Sequence, residues 1–126
     1  MARVALVVDD SMLIRHTVCR FLEERGFAVE SATDGKEALE ILKTVLPDLI
    51  ITDMQMPKMD GTELITNLKS STHTADIPIV ILQGKATSSD TNTETRAQYV
   101  IFKDIEIVPQ LDRALVVALG QKMIEN

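Results

Sequence analysis

The sequence predicts an α/β fold built on a five-stranded parallel sheet with helices on both faces. Two observations support this prediction. Several short apolar runs rich in Val and Ile are typical of strands that are buried on both faces of a parallel sheet. Between these runs lie segments whose apolar residues recur at helical spacing, so strand and helix patterns alternate along the whole chain.

The chain opens with a strand followed by a helix. Residues 4–8 (VALVV) form the first apolar run, and Ser11 after it is a residue type that caps helix N-termini. The helix that follows has four apolar residues at helical spacing, Ile14, Val18, Phe21 and Leu22. Gly26 is predicted to end this helix.

A second strand, a second helix and a third strand come next. Residues 27–32 are predicted to form a short strand. Asp34 and Glu37 resemble a capping box, which would begin a helix. One face of that helix is predicted to contain Ala38, Leu42 and Val45. The Pro47-Asp48 pair breaks the helix and leads into the third strand, which ends at Asp53.

The second half of the chain contains two more strands. A third helix is indicated by Leu64, Ile65 and Leu68. Residues 79–82 form the fourth predicted strand, and residues 99–102 form the fifth. Between these strands, residues 86–95 (ATSSDTNTET) contain no large apolar side chain, so we expect a fourth helix that is short, irregular or mobile.

A last helix is predicted from about Pro109, because proline is tolerated in the first turn of a helix. Its core-facing side would contain Leu111, Ala114, Leu115, Ala118 and Leu119. Val116 and Val117 fall outside this side, so we expect them to be exposed or half exposed.

Length, charge and cysteine content limit the classes of function. With 126 residues and 45% hydrophobic residues, we expect residues 1–126 to form a single domain with no effector domain. The net charge of −6 argues against binding to nucleic acid, which requires a basic surface. No apolar stretch is long enough to span a membrane or serve as a signal peptide, so we expect a soluble cytoplasmic protein. Cys19, the single cysteine, is predicted to be a small buried residue.

Charged residues follow three of the predicted strands. Asp9 and Asp10 come directly after the first strand, Asp53 ends the third, and Lys103 follows the fifth. Because the carboxyl ends of parallel strands meet at one edge of the sheet, where ligands bind, we expect these side chains to converge. Three carboxylates and an amine in such a place are typical of a site for a cation and a phosphoryl group. The fourth strand ends instead on Gln83.

These motifs resemble those of the receiver domains of two-component response regulators. The resemblance extends over essentially the whole chain and rests on VDDS (residues 8–11), TDMQMPKMDG (residues 52–61) and Lys103. It implies a flavodoxin-like doubly wound sheet with strand order 2-1-3-4-5. It also implies a signalling protein of a two-component system or phosphorelay, which accepts a phosphoryl group from phosphohistidine on a histidine kinase or histidine phosphotransfer protein.

The resemblance also implies roles for individual residues. Asp53 would be the phosphoacceptor, and Lys103 would pair first with its carboxylate and later with the phosphoryl group. Asp9, Asp10 and Asp53 would hold Mg²⁺ together with the backbone carbonyl of Gln55. No enzyme activity is expected beyond phosphotransfer onto Asp53 and autodephosphorylation. Haloacid dehalogenase-like phosphatases also use a strand-end aspartate, but they need a second aspartate at the position of Gln55.

The chain departs from the receiver pattern in the residues that usually transmit the signal. Gln83 stands where receivers usually have Thr or Ser, Val100 stands where they have an aromatic residue, and Asp104 stands where they have proline. Tyr99 is one residue away from the aromatic position and is predicted to point to the opposite face of the sheet. The amide of Gln83 could donate a hydrogen bond to a phosphoryl oxygen or orient an attacking water.

Two hypotheses for function therefore stay open at this level. In the first, the third-strand aspartate is phosphorylated in a Mg²⁺-dependent reaction and the conformational readout is modified. In the second, the domain is a phosphorylation-independent interaction module that keeps the fold. In both, the output is a contact with a downstream protein. The resemblance makes the face formed by the fourth helix, fifth strand and last helix a candidate site for a partner or a homodimer.

Overall fold

Five parallel strands form one sheet in the order β2-β1-β3-β4-β5 in the computed structural model, which describes residues 3–56, 58–84 and 96–120. The strands are β1 (Val4–Val8), β2 (Ala28–Ala32), β3 (Leu49–Asp53), β4 (Ile79–Gln83) and β5 (Tyr99–Phe102). The helices in the described ranges are α1 (Met12–Glu24), α2 (Gly35–Ile41), α3 (Gly61–Lys69) and α4 (Ile107–Leu119). The predicted fold class and strand order are confirmed.

Helices cover both faces of the sheet because its three inner strands, β1, β3 and β4, are largely buried on both faces. In β3, Leu49 and Ile51 belong to a core cluster with α1 and α4, whereas Ile50 belongs to a second cluster with α2 and α3. All five residues of β3 are buried, as expected for the central strand of such a sheet. The charged strand-end residues lie at the carboxyl ends of the strands, at one edge of the sheet.

The predicted limits of α1 are confirmed. The Ser11 hydroxyl accepts a hydrogen bond from the backbone N–H of Ile14 at 3.3 Å, which satisfies one of the unpaired donors of the first turn. Gly26 has a φ of 91°, a left-handed conformation in which the helix cannot continue.

On the inner side of α1, Cys19 is half-buried against the core. Burial and the charge of Glu23 raise the pKa of the Cys19 thiol, which is therefore protonated at neutral pH.

The prediction for α2 is only partly right. Asp34 caps the helix by accepting a hydrogen bond from the Glu37 N–H at 2.8 Å, but the Glu37 carboxylate accepts from the N–H and hydroxyl of Thr33. The capping box is therefore incomplete here. The helix ends at Ile41, earlier than predicted, and tighter i to i−3 hydrogen bonds follow at Lys43 and Thr44. Leu42, the C-cap, still packs in the same core cluster as Ala38, as predicted.

A complete capping box lies instead at the start of α3. The Asp60 carboxylate accepts from the Glu63 N–H at 2.9 Å, and the Glu63 carboxylate accepts from the Asp60 N–H at 3.3 Å. The D-x-x-E spacing of residues 60–63 was the signal for it. This reciprocal pair fixes the point at which the loop after β3 enters α3.

The last helix begins at Ile107, two residues before the predicted start. Pro109 is then the third helical residue, and its missing N–H is harmless because the first four N–H groups of a helix have no partner within it. Val116 and Val117 are each 52% exposed, as predicted.

The predicted fourth helix at 86–95 lies outside the described residues. Within the described ranges, no helix has the length and apolar character needed to cross a bilayer.

Candidate functional site

Three carboxylates converge at the carboxyl end of the sheet. β1 and β3 are neighbours in register, with Val8 opposite Thr52, so the residues that follow them lie side by side. As a result, oxygen atoms of Asp9, Asp10 and Asp53 all lie within 4.8 Å of one another. Asp9 and Asp53 are buried, and Asp10 is exposed, so the cluster is open to solvent on one side.

Lys103 brings the positive charge to this cluster. Its Nζ lies 2.9 Å from Asp9 Oδ2 and 3.1 Å from Asp53 Oδ1, and its side chain is only 20% exposed. The backbone N–H of Lys103 donates to the Gln83 carbonyl at 2.8 Å, which continues the β4–β5 pairing by one residue. The lysine therefore enters the site from the end of β5 and bridges two of the three acids.

The charges in the site are not balanced. Burial and the negative charge of Asp9 raise the pKa of Asp53, although Lys103 and the Gln55 N–H act in the opposite direction. Burial by itself would lower the pKa of Lys103, but its contacts with Asp9 and Asp53 outweigh burial and raise this pKa. The site thus has one ammonium group for three carboxylates, and keeping Asp53 ionised in the folded protein costs free energy.

The donor atoms of the site fit a hard divalent cation. Asp9 Oδ1 accepts from the Ser11 N–H at 2.8 Å, whereas the buried Asp9 Oδ2 receives no aligned hydrogen bond within the described residues. Lys103 Nζ contacts Oδ2 as an ion pair at 2.9 Å. An oxygen with unused lone pairs beside two further carboxylates is the type of ligand set that Mg²⁺ prefers.

The loop after β3 wraps closely around Asp53. The Gln55 N–H lies 3.4 Å from Asp53 Oδ1, and the Thr52 hydroxyl donates to the Asp53 carbonyl at 2.9 Å. The Gly61 N–H donates to the Met54 carbonyl at 2.9 Å, so the loop closes on itself at the start of α3. The side chain of Gln55 is exposed, and its backbone carbonyl stays a predicted metal ligand.

Two of the three departures from the receiver pattern, Gln83 and Val100, lie on β4 and β5. Gln83 is half-buried at the end of β4, opposite Phe102 in the register of the sheet. Val100 packs in the cluster with α2 and α3, whereas Tyr99 packs in the cluster with α1 and α4. The prediction that Tyr99 and Val100 point to opposite faces is therefore confirmed.

Two residues that support the site were not predicted. The Arg15 guanidinium donates to the Asp9 carbonyl at 2.8 Å, which ties the first turns of α1 to the end of β1. Gln110 is buried and binds the backbone on either side of Lys103. A signal for Gln110 was present, since it lies four residues before Ala114 on the inner side of α4, and a polar residue there needs an internal partner.

The raised pKa of Asp53 predicts that Asp53→Asn is more stable than the wild type at pH 7 without divalent cations. A carboxyl with a raised pKa in the folded state favours folding below its unfolded pKa, and this contribution is lost as the pH rises through its folded pKa. We expect a gain on the order of 1 kcal/mol. Urea denaturation in EDTA at pH 7 and pH 4 measures it, and the difference should shrink at the lower pH. A variant less stable at pH 7 would contradict the charge imbalance.

Known proteins place this site in a family. The family model of the response regulator receiver domain matches residues 5–114. The gliding motility regulatory protein of Myxococcus xanthus is 44% identical over 85 residues, which are 68% of this chain and 11% of that protein. The chain thus spans about a tenth of the length of that relative.

Solved structures of receivers share the fold. The chemotaxis response regulator CheY4 of Vibrio cholerae is 31% identical with a TM-score of 0.80, and the match covers 91% of this chain and 100% of CheY4. The receiver domain of a sensor histidine kinase from Pseudomonas aeruginosa has a TM-score of 0.84 at 20% identity, covering 96% of this chain and 100% of that one. That structure holds a magnesium ion coordinated in its active-site cleft.

The chain belongs to the family of response regulator receiver domains. Members of this family are signalling modules, the phosphoacceptors of two-component systems, and they bind Mg²⁺ in an acidic site. The resemblance seen in the sequence motifs is therefore confirmed. The second hypothesis, an interaction module that works without phosphorylation, is not favoured.

Proposed function

We propose that Asp53 is the phosphoacceptor of this receiver domain and takes its phosphoryl group from a phosphohistidine in a Mg²⁺-dependent reaction. The donor would be a histidine kinase or a histidine phosphotransfer protein. The observation that carries this proposal is the position of Lys103 Nζ, 3.1 Å from Asp53 Oδ1, within a cluster of three carboxylates. Phosphoryl transfer asks a protein mainly for positioning and charge neutralisation, and this arrangement offers both.

The contacts of Asp53 indicate which of its oxygens reacts. Oδ1 is held by the Lys103 ammonium and the Gln55 N–H, which leaves Oδ2 to attack phosphorus. The new P–O bond forms as the P–N bond to the imidazole breaks, and the electron pair of the P–N bond returns to the ring nitrogen of the donor. Lys103 can then follow the negative charge from the carboxylate to a phosphoryl oxygen, because a flexible ammonium carries three donors.

Asp9, Asp10 and Asp53, with the carbonyl of Gln55, are the residues that would hold Mg²⁺. When bound, the cation supplies positive charge that offsets the carboxylates and the phosphoryl oxygens. The buried Asp9 Oδ2 without an aligned hydrogen bond supports this assignment, as does the magnesium ion in the receiver of the Pseudomonas aeruginosa kinase.

The response to phosphorylation is expected to differ from that of a usual receiver. Gln83 lies at the strand end next to Lys103, where its amide could donate to a phosphoryl oxygen or orient an attacking water. Output would be a contact with a downstream protein in the cytoplasm, with no catalysis beyond self-phosphorylation and autodephosphorylation. The exposed Val116 and Val117, on the helix beside β5, make this side of the domain a candidate for a partner or a second copy.

The proposal predicts a covalent adduct on Asp53. Incubation with an acyl phosphate and Mg²⁺ should add the mass of one phosphoryl group to the wild type and to Asp76→Asn, but not to Asp53→Asn. Asp76 is a matched control because it is an acid that precedes β4, at the opposite end of the sheet. Intact-protein mass spectrometry measures the adduct, and EDTA should prevent it. Wild-type protein that gains no mass at saturating donor would refute the proposed function.

A further inference from the structure

Gln110 makes an unusual set of contacts in the first turns of α4. Its side chain is buried, with 7% of the residue exposed. Its Oε1 accepts a hydrogen bond from the Phe102 N–H at 2.9 Å, and its Nε2 donates to the Phe102 carbonyl at 2.9 Å. The side-chain amide thus pairs with both backbone groups of the residue immediately before Lys103.

The geometry of the sheet explains why an amide is needed there. β5 is the outer strand of the described sheet, and the Lys103 N–H faces β4 through its bond to Gln83. Successive residues of a strand turn their backbone groups to opposite sides, so those of Phe102 face outward. Buried backbone groups without partners cost free energy, and the side-chain amide of Gln offers a neutral donor and a neutral acceptor in one planar group.

Gln110 also holds the other end of the loop that carries Lys103. Its Nε2 donates to the Glu106 carbonyl at 2.9 Å and lies 3.4 Å from the Ile105 carbonyl. Glu106 is the N-cap of α4 and makes no side-chain capping bond of its own. One amide therefore fixes the backbone before and after Lys103, and it does so from inside the protein.

We propose that Gln110 is a positioning residue for Lys103. By holding residues 102 and 106, it sets the backbone from which the lysine reaches Asp9 and Asp53. This inference rests on the proposed phosphoryl transfer, since the position of Nζ matters for that reaction. A displacement of about 1 Å in such a group can slow a reaction by up to about a hundredfold.

The test compares Gln110→Leu with Leu115→Ala. Leucine keeps the volume of Gln110 but removes every hydrogen bond, whereas Leu115→Ala is a control that destabilises the same helix from the buried core. With an acyl phosphate and Mg²⁺, and with rates taken for the folded fraction, Gln110→Leu should be phosphorylated at least about tenfold more slowly than wild type. Leu115→Ala should stay within about twofold of it. Equal rates for wild type and Gln110→Leu would overturn the inference.

A double-mutant cycle separates positioning from a general structural role. If Gln110 acts through Lys103, then Gln110→Leu should cause no further slowing in a Lys103→Met background, because the group it positions is gone. Fully additive effects would mean that Gln110 acts by another route and would refute the proposal. If Gln110→Leu does not fold, Gln110→Glu is tested in its place, since it keeps the acceptor for the Phe102 N–H and loses both donors.

A second readout does not depend on phosphorylation. In the NMR spectrum of the unphosphorylated protein, the CεH₂ signals of Lys103 should move in Gln110→Leu and stay in place in Leu115→Ala. The amide hydrogen of Phe102 should also exchange faster in Gln110→Leu. If wild type accepts no phosphoryl group, the proposed function fails, yet these signals still decide whether Gln110 positions Lys103. Unmoved Lys103 signals would refute the positioning role by themselves.

Discussion

Lys103→Met is expected to lower the free energy of unfolding by about 3 kcal/mol at pH 7 and low divalent cation. The substitution leaves the buried carboxylates of Asp9 and Asp53 without the ammonium that lies 2.9 Å and 3.1 Å from them. A buried charge whose partner is removed cannot recover its lost hydration, so breaking such a pair is far more damaging than breaking an exposed one. The variant should also be phosphorylated much more slowly, because no cation follows the transferred charge.

The loss of stability in Lys103→Met depends on pH. The raised pKa of Lys103 means that its contribution to stability is present at neutral pH and is lost as the pH rises through its folded pKa. In Lys103→Met, the lysine no longer opposes the effects of burial and Asp9, so Asp53 binds protons more tightly in the folded than in the unfolded state. The stability of the variant should therefore recover as the pH falls from 7 towards 5.

Chemical denaturation at several pH values measures both effects. Lys43→Met is the matched control, since Lys43 pairs with Glu40 at 3.0 Å and both side chains are about two-thirds exposed. Such a surface pair contributes about 0–1 kcal/mol. Adding Asp53→Asn to Lys103→Met should restore part of the lost stability. If the two lysine variants lose equal stability, or if acid brings no recovery, then Lys103 does not stabilise the acidic cluster.

Gly61→Ala is expected to lower the free energy of unfolding by about 2 kcal/mol and to impair phosphorylation of Asp53. A Cβ at this position would lie 2.6 Å from the Asp53 carbonyl oxygen and 2.7 Å from the Met54 Cα. Both are backbone atoms, so the loop that carries the phosphoacceptor would have to move. Helix propensity alone predicts the opposite sign, because alanine is favoured over glycine in a helix by about 1 kcal/mol.

Gly84→Ala is the control for Gly61→Ala. A Cβ at Gly84 would meet no atom of the described part of the chain within 4 Å, and Gly84 also lies at a strand end beside the site. We expect its stability to change by less than about 0.5 kcal/mol. Thermal denaturation and the rate of adduct formation with an acyl phosphate measure both variants. A Gly61→Ala protein as stable and as reactive as Gly84→Ala would show that the loop can absorb the methyl group.

Much of the fold could be predicted from the sequence because local pattern and tertiary role agree in this protein. The apolar strands of the central sheet have no polar face, which requires helices on both sides. The convergence of Asp9, Asp53 and Lys103 could also be predicted, because parallel strands place all their carboxyl ends at the same edge. Such a prediction needs only the order of elements along the chain.

The contacts that could not be predicted are those in which one side chain has more than one suitable hydrogen-bond partner. Glu37 is spaced correctly to bind the Asp34 N–H, yet the N–H and hydroxyl of Thr33 offer two hydrogen bonds at 2.8 Å. Glu63 has the same spacing from Asp60 and does complete the box. Gln110 could be recognised as a polar residue on an apolar side, but its partner depends on how the preceding loop turns back. No local pattern specifies that path.

The contact between Gln110 and Phe102 has a consequence for how copies of this domain meet. The outer edge of a sheet invites another chain to add a strand, which leads to aggregation unless the edge is blocked. Here the side-chain amide of Gln110 is already hydrogen-bonded to the N–H and the carbonyl of Phe102, at the carboxyl end of β5. These two backbone groups therefore cannot pair with a strand from another copy. Only Val100 is left with outward-facing groups within this four-residue strand, too few to template a ladder. The bond that orients the site thereby also discourages edge-to-edge association between copies.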